Sequence, residues 1–403
     1  MKVIGIIAEY NPMQNGHEYQ LKLAKEQFHA DYVIVVMTGS FHLRGLPAVM
    51  GKEVRARHAV MAGADLVIGL PACYSLDETP GMAKAAISLF DSLGVVDAML
   101  FGSELGDIRK IREIAAVMES EEYRSVYSQV SASIKKTNAR REETLRKLGY
   151  TDYSACINNP NNLLGIRFVM TLHELGSQIM PLTHLRRGQA YLDERLETAS
   201  EGRIYSSASA VRSCLREEYK SGKPLSERLC ASVPDYVYQW MREHFRVSFP
   251  VFHEDCWDEI ASCVEEKTLD ELSGIYGIDA DYAKAMKEEV ARDREYAACC
   301  RRLKERFPNI NPDRRFYRAY TNQTKCDYQM YMDQGVVFYA NVLAASRRSD
   351  PLLQRIREVS RIPLIYDLNL QNMQICTAGY RQLENDRETA ALYTHIQNRK
   401  VRG

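Results

Sequence analysis

Four short apolar runs, at residues 3–8, 32–37, 65–70 and 97–101, lie among amphipathic stretches in the first quarter of the chain. Each run is apolar almost without interruption, the pattern of a strand buried on both faces. The stretches between them, 17–28, 52–62 and 82–93, read as helices. In the first of these, Leu21, Ala24 and Phe28 fall on one face. Glycine turns at Gly63-Ala64-Asp65 and Gly94-Val95 introduce the third and fourth runs. Strands alternating with helices predict an α/β fold, a parallel sheet with helices on both faces.

Residues 108–149 read as helix with breaks near Ser120 and Thr137. Asn158-Asn159-Pro160-Asn161-Asn162 marks a loop before a helix at 163–175, and a further strand is expected at 178–183. After a helix at 209–220, the turn Gly222-Lys223-Pro224 is the expected boundary between two domains, 1–222 and 223–403. The second is expected to be mainly helical, with helices at 226–245, 255–265, 269–275 and 281–307. Strands at 336–343 and 364–366 join them.

A length of 403 residues suits two domains, and apolar and charged fractions of 45% and 26% are those of an ordinary globular chain. No apolar run is long enough to span a bilayer, and the N-terminal run ends in Glu9 and Asn11 without a cleavage site. A cytoplasmic protein is expected. The ten cysteines include no C-x-x-C pair, so reduced thiols are expected in place of a disulfide framework or a zinc site. Lys+Arg and Asp+Glu are equal at 53, so net charge does not select a partner. Locally, basic residues gather at Lys135, Lys136, Arg140, Arg141, Arg146 and Lys147, and again from Arg292 to Arg318. Such runs serve either as solvated helix faces or as phosphate-binding surfaces.

The segment Glu9-Tyr10-Asn11-Pro12-Met13-Gln14-Asn15-Gly16-His17 follows the first strand and opens the first helix. In an open α/β sheet, ligands bind at the carboxyl ends of strands. A helix N-terminus offers free N–H groups and the positive end of a dipole, which suit phosphate. Pro12 stiffens the turn, Gly16 admits a close backbone approach, and His17 stands where it can hydrogen-bond a phosphate.

Taken whole, this segment resembles the HxGH-type loop of the nucleotidyltransferase superfamily, and more closely that of the tRNA(Met) cytidine acetate ligases. Glu9, Tyr10, Asn11, Pro12, Asn15, Gly16 and His17 carry the match. Further matches follow in order: Arg44-Gly45-Leu46-Pro47-Ala48, Gly63 to Ile68 with Leu70-Pro71, and Phe101-Gly102-Ser103-Glu104. Pro160 to Ile166, Arg186 to Tyr191, Ser207 to Arg212, and the segments at 342–344 and 362–365 continue the series. The resemblance is dense up to Arg212 and patchy beyond it. It implies a Rossmann-like nucleotidyltransferase domain and a two-step reaction: ATP and acetate form acetyl-adenylate, and the acetyl group passes to the wobble cytidine of elongator tRNA(Met). It also implies that ATP is held by the loop from Ile7 to Gln20 (Ile7, Ala8, Glu9, Tyr10, Asn11, Pro12, Gln14, Asn15, Gly16, His17, Gln20), by Gly102, Asn161 and Arg186, and by Ser209 and Arg212. His17 is the expected catalytic contact to the phosphates. Mg2+ is expected with the nucleotide, and the second domain is expected to face tRNA.

The chain departs from the family pattern at Gln14, where the family has histidine, at Met13, where it has phenylalanine, and at Gly69, where it has an acidic residue. Glutamine still donates to a phosphate oxygen but carries no charge. The stretch from Arg314 to Tyr331 does not follow the family's tRNA-facing segment. Two other readings share the ATP site: an adenylating enzyme with a small-molecule acceptor, and a nucleotide- or RNA-binding homologue without turnover. The ligase reading predicts an RNA face built partly from Arg292 to Arg318, with Tyr317 and Tyr320 available to stack on a splayed base.

Overall fold

A computed structural model describes residues 1–130, 134, 137–187, 203–368 and 375–402. The apolar runs become strands of one sheet: β1 (Val3–Ala8), β2 (Tyr32–Met37), β3 (Leu66–Gly69), β4 (Ala98–Ser103), β5 (Met180–Leu185), β6 (Ala340–Ala345) and β7 (Leu364–Ile365). Their order is β5-β4-β1-β2-β3-β6-β7. The first five strands are mutually parallel, β6 runs antiparallel to β3, and β7 is parallel to β6. Alternate side chains of each strand enter opposite cores. Val3, Ile34, Val36, Ile68 and Phe101 pack with helices Thr79–Leu93, Ile108–Glu119 and Pro160–Leu175. Ile4, Ile6, Val33, Val35 and Leu100 pack with helices Asn15–Glu26, Lys52–Met61 and Ala208–Ser221.

The described residues from 223 to 402 are mainly helical and also return β6 and β7 to the sheet, and Gly222 ends helix Ala208–Ser221. The helix expected at 226–245 is two, Glu227–Ser232 and Asp235–His244, parted at Pro234, whose ring cannot supply an interior N–H. The stretch 281–307 likewise divides into Ala280–Arg292 and Tyr296–Arg306. Glu227–Ser232 and Asp235–His244 pack into the second core, whereas Ala280–Arg292 and Tyr296–Arg306, with Trp257–Glu266 and Pro312–Tyr320, enclose a third core with Trp257, Ile260, Tyr282, Phe316 and Tyr317. That core docks on the loop after β2. Gly45 there has φ +80°, and a Cβ on it would lie 2.3 Å from the Arg314 backbone. The last helix, Thr377–Arg402, closes the assembly, with Tyr393 Oη donating to Ala48 O at 2.6 Å.

Candidate active site

The chain runs from β1 outward through β2 to β3, then returns to place β4 on the other side of β1. The gap between the carboxyl ends of β1 and β4 is the topological switch point, where an open α/β sheet binds ligands. The turn 9–14 and helix Asn15–Glu26 sit over that gap. Tyr10, at φ +46°, turns the chain sharply, and its ring lies beneath His17 with centroids 5.0 Å apart. Asn11 Oδ1 accepts from Val49 N at 2.8 Å, and Asn11 O accepts from Arg212 at 2.9 Å. Arg55 secures the turn from below. Fully buried, its guanidinium donates to Glu9 O (2.6 Å), Thr38 O (3.2 Å), Met50 O (3.1 Å) and Gly39 O. The ends of β1 and β2 therefore share one cation.

His17 occupies the first turn of its helix, and its Nδ1 accepts from the Gln14 backbone N–H at 3.2 Å. The ring proton then resides on Nε2, the nitrogen left to donate. Burial, reinforced by Arg186 and Arg212 and opposed by Glu9, holds the imidazole pKa down at about 3. His17 is thus a neutral donor flanked by two guanidinium groups. Glu9 stays ionised, its pKa held at about 2: burial pushes it up, but His42, Arg212 and the Leu43 N–H outweigh that push. Gln14 is buried, and its amide links two helix N-termini. It accepts from Ala208 N at 3.0 Å and donates to Ser206 O at 3.3 Å. Ser207 caps the second of these helices by accepting from Ala210 N at 3.0 Å.

A cleft opens beside this turn, lined by Gln14, Gly16, His17, Tyr19, Gln20, Gly102, His184, Arg186, Arg187, Tyr205 and Ser206. Gly16 and His17 form one end, and the other carries aromatic and planar groups. Tyr19 lies edge-on to His184 and to Tyr205, and the Arg187 guanidinium is 4.3 Å from the Tyr19 ring centroid. Gly102 keeps the wall open, since a Cβ would lie 3.0 Å from Arg186 Cγ and 3.1 Å from His184 Nε2. Arg186 donates to Asn161 Oδ1 at 2.8 Å, and Asn161 Nδ2 donates to Glu104 Oε1 at 2.6 Å. Glu104 also accepts from Asn162 N at 2.8 Å, capping helix Pro160–Leu175.

The expected site residues thus fall into three groups. Gln14, Gly16, His17, Gln20, Gly102 and Arg186 line the cleft. Ile7, Ala8, Glu9, Tyr10, Asn11, Pro12, Asn15 and Asn161 form its strand, turn and buttress. Among these, Asn15 is buried and donates to Ile204 O (2.9 Å) and Ala231 O (2.7 Å). Ser209 and Arg212 line a neighbouring cavity. The matched segment from Arg186 to Tyr191 continues from Gly188 outside the described residues, as do Lys135 and Lys136. Sequence reasoning missed Arg55, His184 and Tyr205. None stands in a spaced motif, and only the fold brings them to the turn and the cleft.

A family model described as HIGH Nucleotidyl Transferase matches residues 1–403. The tRNA(Met) cytidine acetate ligase of Acetivibrio thermocellus is 30% identical over 377 residues, 92% of this chain and 89% of that protein. The ligase of Thermosipho africanus is 30% identical over 379 residues, 92% of this chain and 86% of that protein. The chain belongs to the tRNA(Met) cytidine acetate ligase family. The crystal structure of Thermotoga maritima TmcAL in its apo form superposes with TM-score 0.86 at 26% identity, covering 98% of this chain and 95% of that one. The form of the same protein bound with alpha-thio ATP gives TM-score 0.85 at 24% identity, covering the same shares.

Within this ligase family, the departure at position 14 acquires a structural meaning. Gln14 spends its amide on the backbone of the second helix, and the positive charge beside the turn comes from Arg186 and Arg212. Among the described residues, no three His, Cys, Asp or Glu side chains converge as a metal site. No helix among the described residues is long and apolar enough to cross a membrane.

Of the RNA face expected partly from Arg292 to Arg318, the fold draws the last three arginines and both tyrosines into internal contacts, while Arg292, Arg294, Arg301, Lys304 and Arg306 are exposed. Arg314 donates to Leu43 O at 2.8 Å, and Arg315 reaches Glu78 at 3.3 Å. Arg318 is buried against Asp77 at 2.8 Å. Tyr317 is wholly buried with its hydroxyl 2.8 Å from Cys256 Sγ, and the Tyr320 hydroxyl donates to Glu259. Arg314, Arg315 and Arg318, on the amphipathic helix Pro312–Tyr320, serve as internal struts, because their long stems pack while their heads reach backbone and acid partners. All ten cysteines are free, as expected: Cys73, Cys156, Cys256 and Cys299 are buried, four are half-buried, and Cys326 and Cys376 are exposed.

Proposed function

We propose that this chain is an ATP-dependent ligase that activates acetate and acetylates the wobble cytidine of elongator tRNA(Met), acting in the cytoplasm. The observation that carries this reading is the pair of helix N-termini, Asn15–Glu26 and Ala208–Ser221, bridged by Gln14 and flanked by Arg186 and Arg212. Such an arrangement cradles phosphates with backbone N–H groups and two cations. ATP lies along the cleft, its triphosphate at Gly16 and His17 and its base at the Tyr19–Tyr205 end. A carboxylate oxygen of acetate attacks the α-phosphorus, and the bond to the bridging oxygen breaks to release pyrophosphate. Neutral His17 donates from Nε2 to a phosphate oxygen, and the guanidinium groups stabilise the charge spread over the equatorial oxygens. The cytidine amine then attacks the acetyl carbonyl. The C–N bond forms, the C–O bond to AMP breaks, and the amine loses a proton. Mg2+ enters with the triphosphate, its usual carrier.

Acetate-dependent ATP–pyrophosphate exchange, followed by labelled acetate transfer with and without elongator tRNA(Met) transcript, tests this. Exchange with label in the tRNA is the expected result. Exchange without label in RNA would establish a different acceptor, and ATP binding without exchange would sink the ligase reading.

A further inference from the structure

A second cavity, of about 170 Å³, lies beside the candidate nucleotide site, between the loop after β2, helix Ala208–Ser221 and the segment 251–253. Ser209, Arg212, Ser213 and Arg216 present one helical face to it, at the i, i+3, i+4, i+7 spacing of a single stripe. Arg44 and His42 face it from the opposite loop; among the described residues no acidic side chain lines it, and Arg216 is ion-paired with Glu254. Its floor is apolar, made by Leu46, Pro47, Val49, Val251 and Phe252. The Arg216 guanidinium lies 4.6 Å above the Phe252 ring, with Nη2 3.2 Å from His253 Nδ1. Arg212 joins the cavity to the nucleotide turn through its bond to Asn11 O at 2.9 Å.

Its chemistry is that of a nucleotide seat: an apolar, partly aromatic floor for a planar base and a basic rim for its phosphate. The space is larger than a two-carbon carboxylate needs. An apolar floor does not suit pyrophosphate. We propose that this cavity receives the acceptor nucleotide of single-stranded RNA, its base over the Val49–Phe252 floor and its phosphate on Arg44 and Arg216. This rests on the reading of the adjoining cleft as the ATP site. Arg212 then stands between the two substrates, which brings the acceptor amine to the acetyl-adenylate.

Two full-length variants test it: Ser213→Trp, which fills the cavity, and Arg44→Ala, which removes one cation. Acetate-dependent ATP–pyrophosphate exchange is expected to stay within about two-fold of wild type. Acetyl transfer at subsaturating tRNA(Met) transcript is expected to fall about ten-fold, as does binding of a fluorescent anticodon stem-loop by anisotropy at fixed salt. Exchange falling in parallel with transfer would assign the cavity to adenylation and overturn the proposal. Unaltered stem-loop binding in both variants would overturn it as well. The binding measurement decides the cavity even if the wild-type protein shows no exchange, a result that would count against the ATP-site reading instead.

Discussion

The backbone N–H of Gln14 donates to His17 Nδ1 at 3.2 Å, and this bond decides which ring nitrogen of His17 faces the ligand. With burial, Arg186 and Arg212 depressing the pKa to about 3, the ring is a neutral donor at physiological pH. The pH profile of kcat/KM for exchange should therefore show no His17 inflection between about pH 5 and pH 8. His17→Ala should lower exchange by about 10²–10³-fold while leaving the unfolding midpoint near that of wild type. Undiminished exchange would refute the role. The same shift affects folding. Because the folded pKa lies below the unfolded value of 6.5, the unfolded chain takes up the proton first as pH falls. The His17 contribution to stability is complete above the unfolded pKa and is lost as pH falls toward about 3.

Arg55 holds carbonyls at the ends of β1 and β2 and at Met50, with no carboxylate partner within salt-bridge distance among the described residues. Arg55→Ala leaves those acceptors unpaired in a dry site, at about 1–3 kcal/mol each where water cannot replace the donor. A loss of several kcal/mol by denaturant titration is expected, with weakened ATP binding in whatever remains folded. Arg55→Lys should recover only part of this, since an ammonium does not reproduce the planar fork. Wild-type stability in Arg55→Ala would show that the turn holds without its cation.

Removing the Gln14 side chain should separate the two helix N-termini. Gln14→Ala is expected to weaken ATP binding by about ten-fold, the cost of a lost buried hydrogen-bond pair, as isothermal titration would register. Gln14→Asn, whose amide is one methylene too short to span both partners, should resemble the alanine variant. Full affinity in both would mean that Ser207 alone positions the second helix.

Arg318 and Asp77 form an ion pair that is almost fully buried, and Asp77 also accepts from Tyr328 Oη at 2.5 Å. Arg318→Ala should destabilise the protein by about 3–5 kcal/mol, because it strands a buried carboxylate. Affinity for RNA, measured on the folded fraction, should not change. Weaker RNA binding at wild-type stability would restore this arginine to the surface reading.

The strands, their parallel arrangement and the turn 9–17 were legible because each depends on local pattern: unbroken apolar runs, glycine turns, and a motif contiguous along the chain. The strands at 336–343 and 364–366 were anticipated, but their place in the sheet was not, since β6 pairs antiparallel with a strand more than 250 residues earlier. Arg314, Arg315 and Arg318 misled for a related reason. Charge along a helix gives its sequence spacing, whereas burial depends on what packs against that helix. Here the loop after β2 and Asp77 with Glu78 receive the guanidinium heads.

The sequence by itself determined the α/β class, the family and the position of the turn 9–17, because contiguous residues carry those signals. Only the tertiary structure decided what each of those residues does there. It put Gln14 on the second helix, took Asn15 out of the cleft, made His17 neutral and supplied Arg55 and His184 from other elements. The physical reason is that protonation state, burial and hydrogen-bond partner are properties of a site's surroundings. Those surroundings come from residues far apart in the chain.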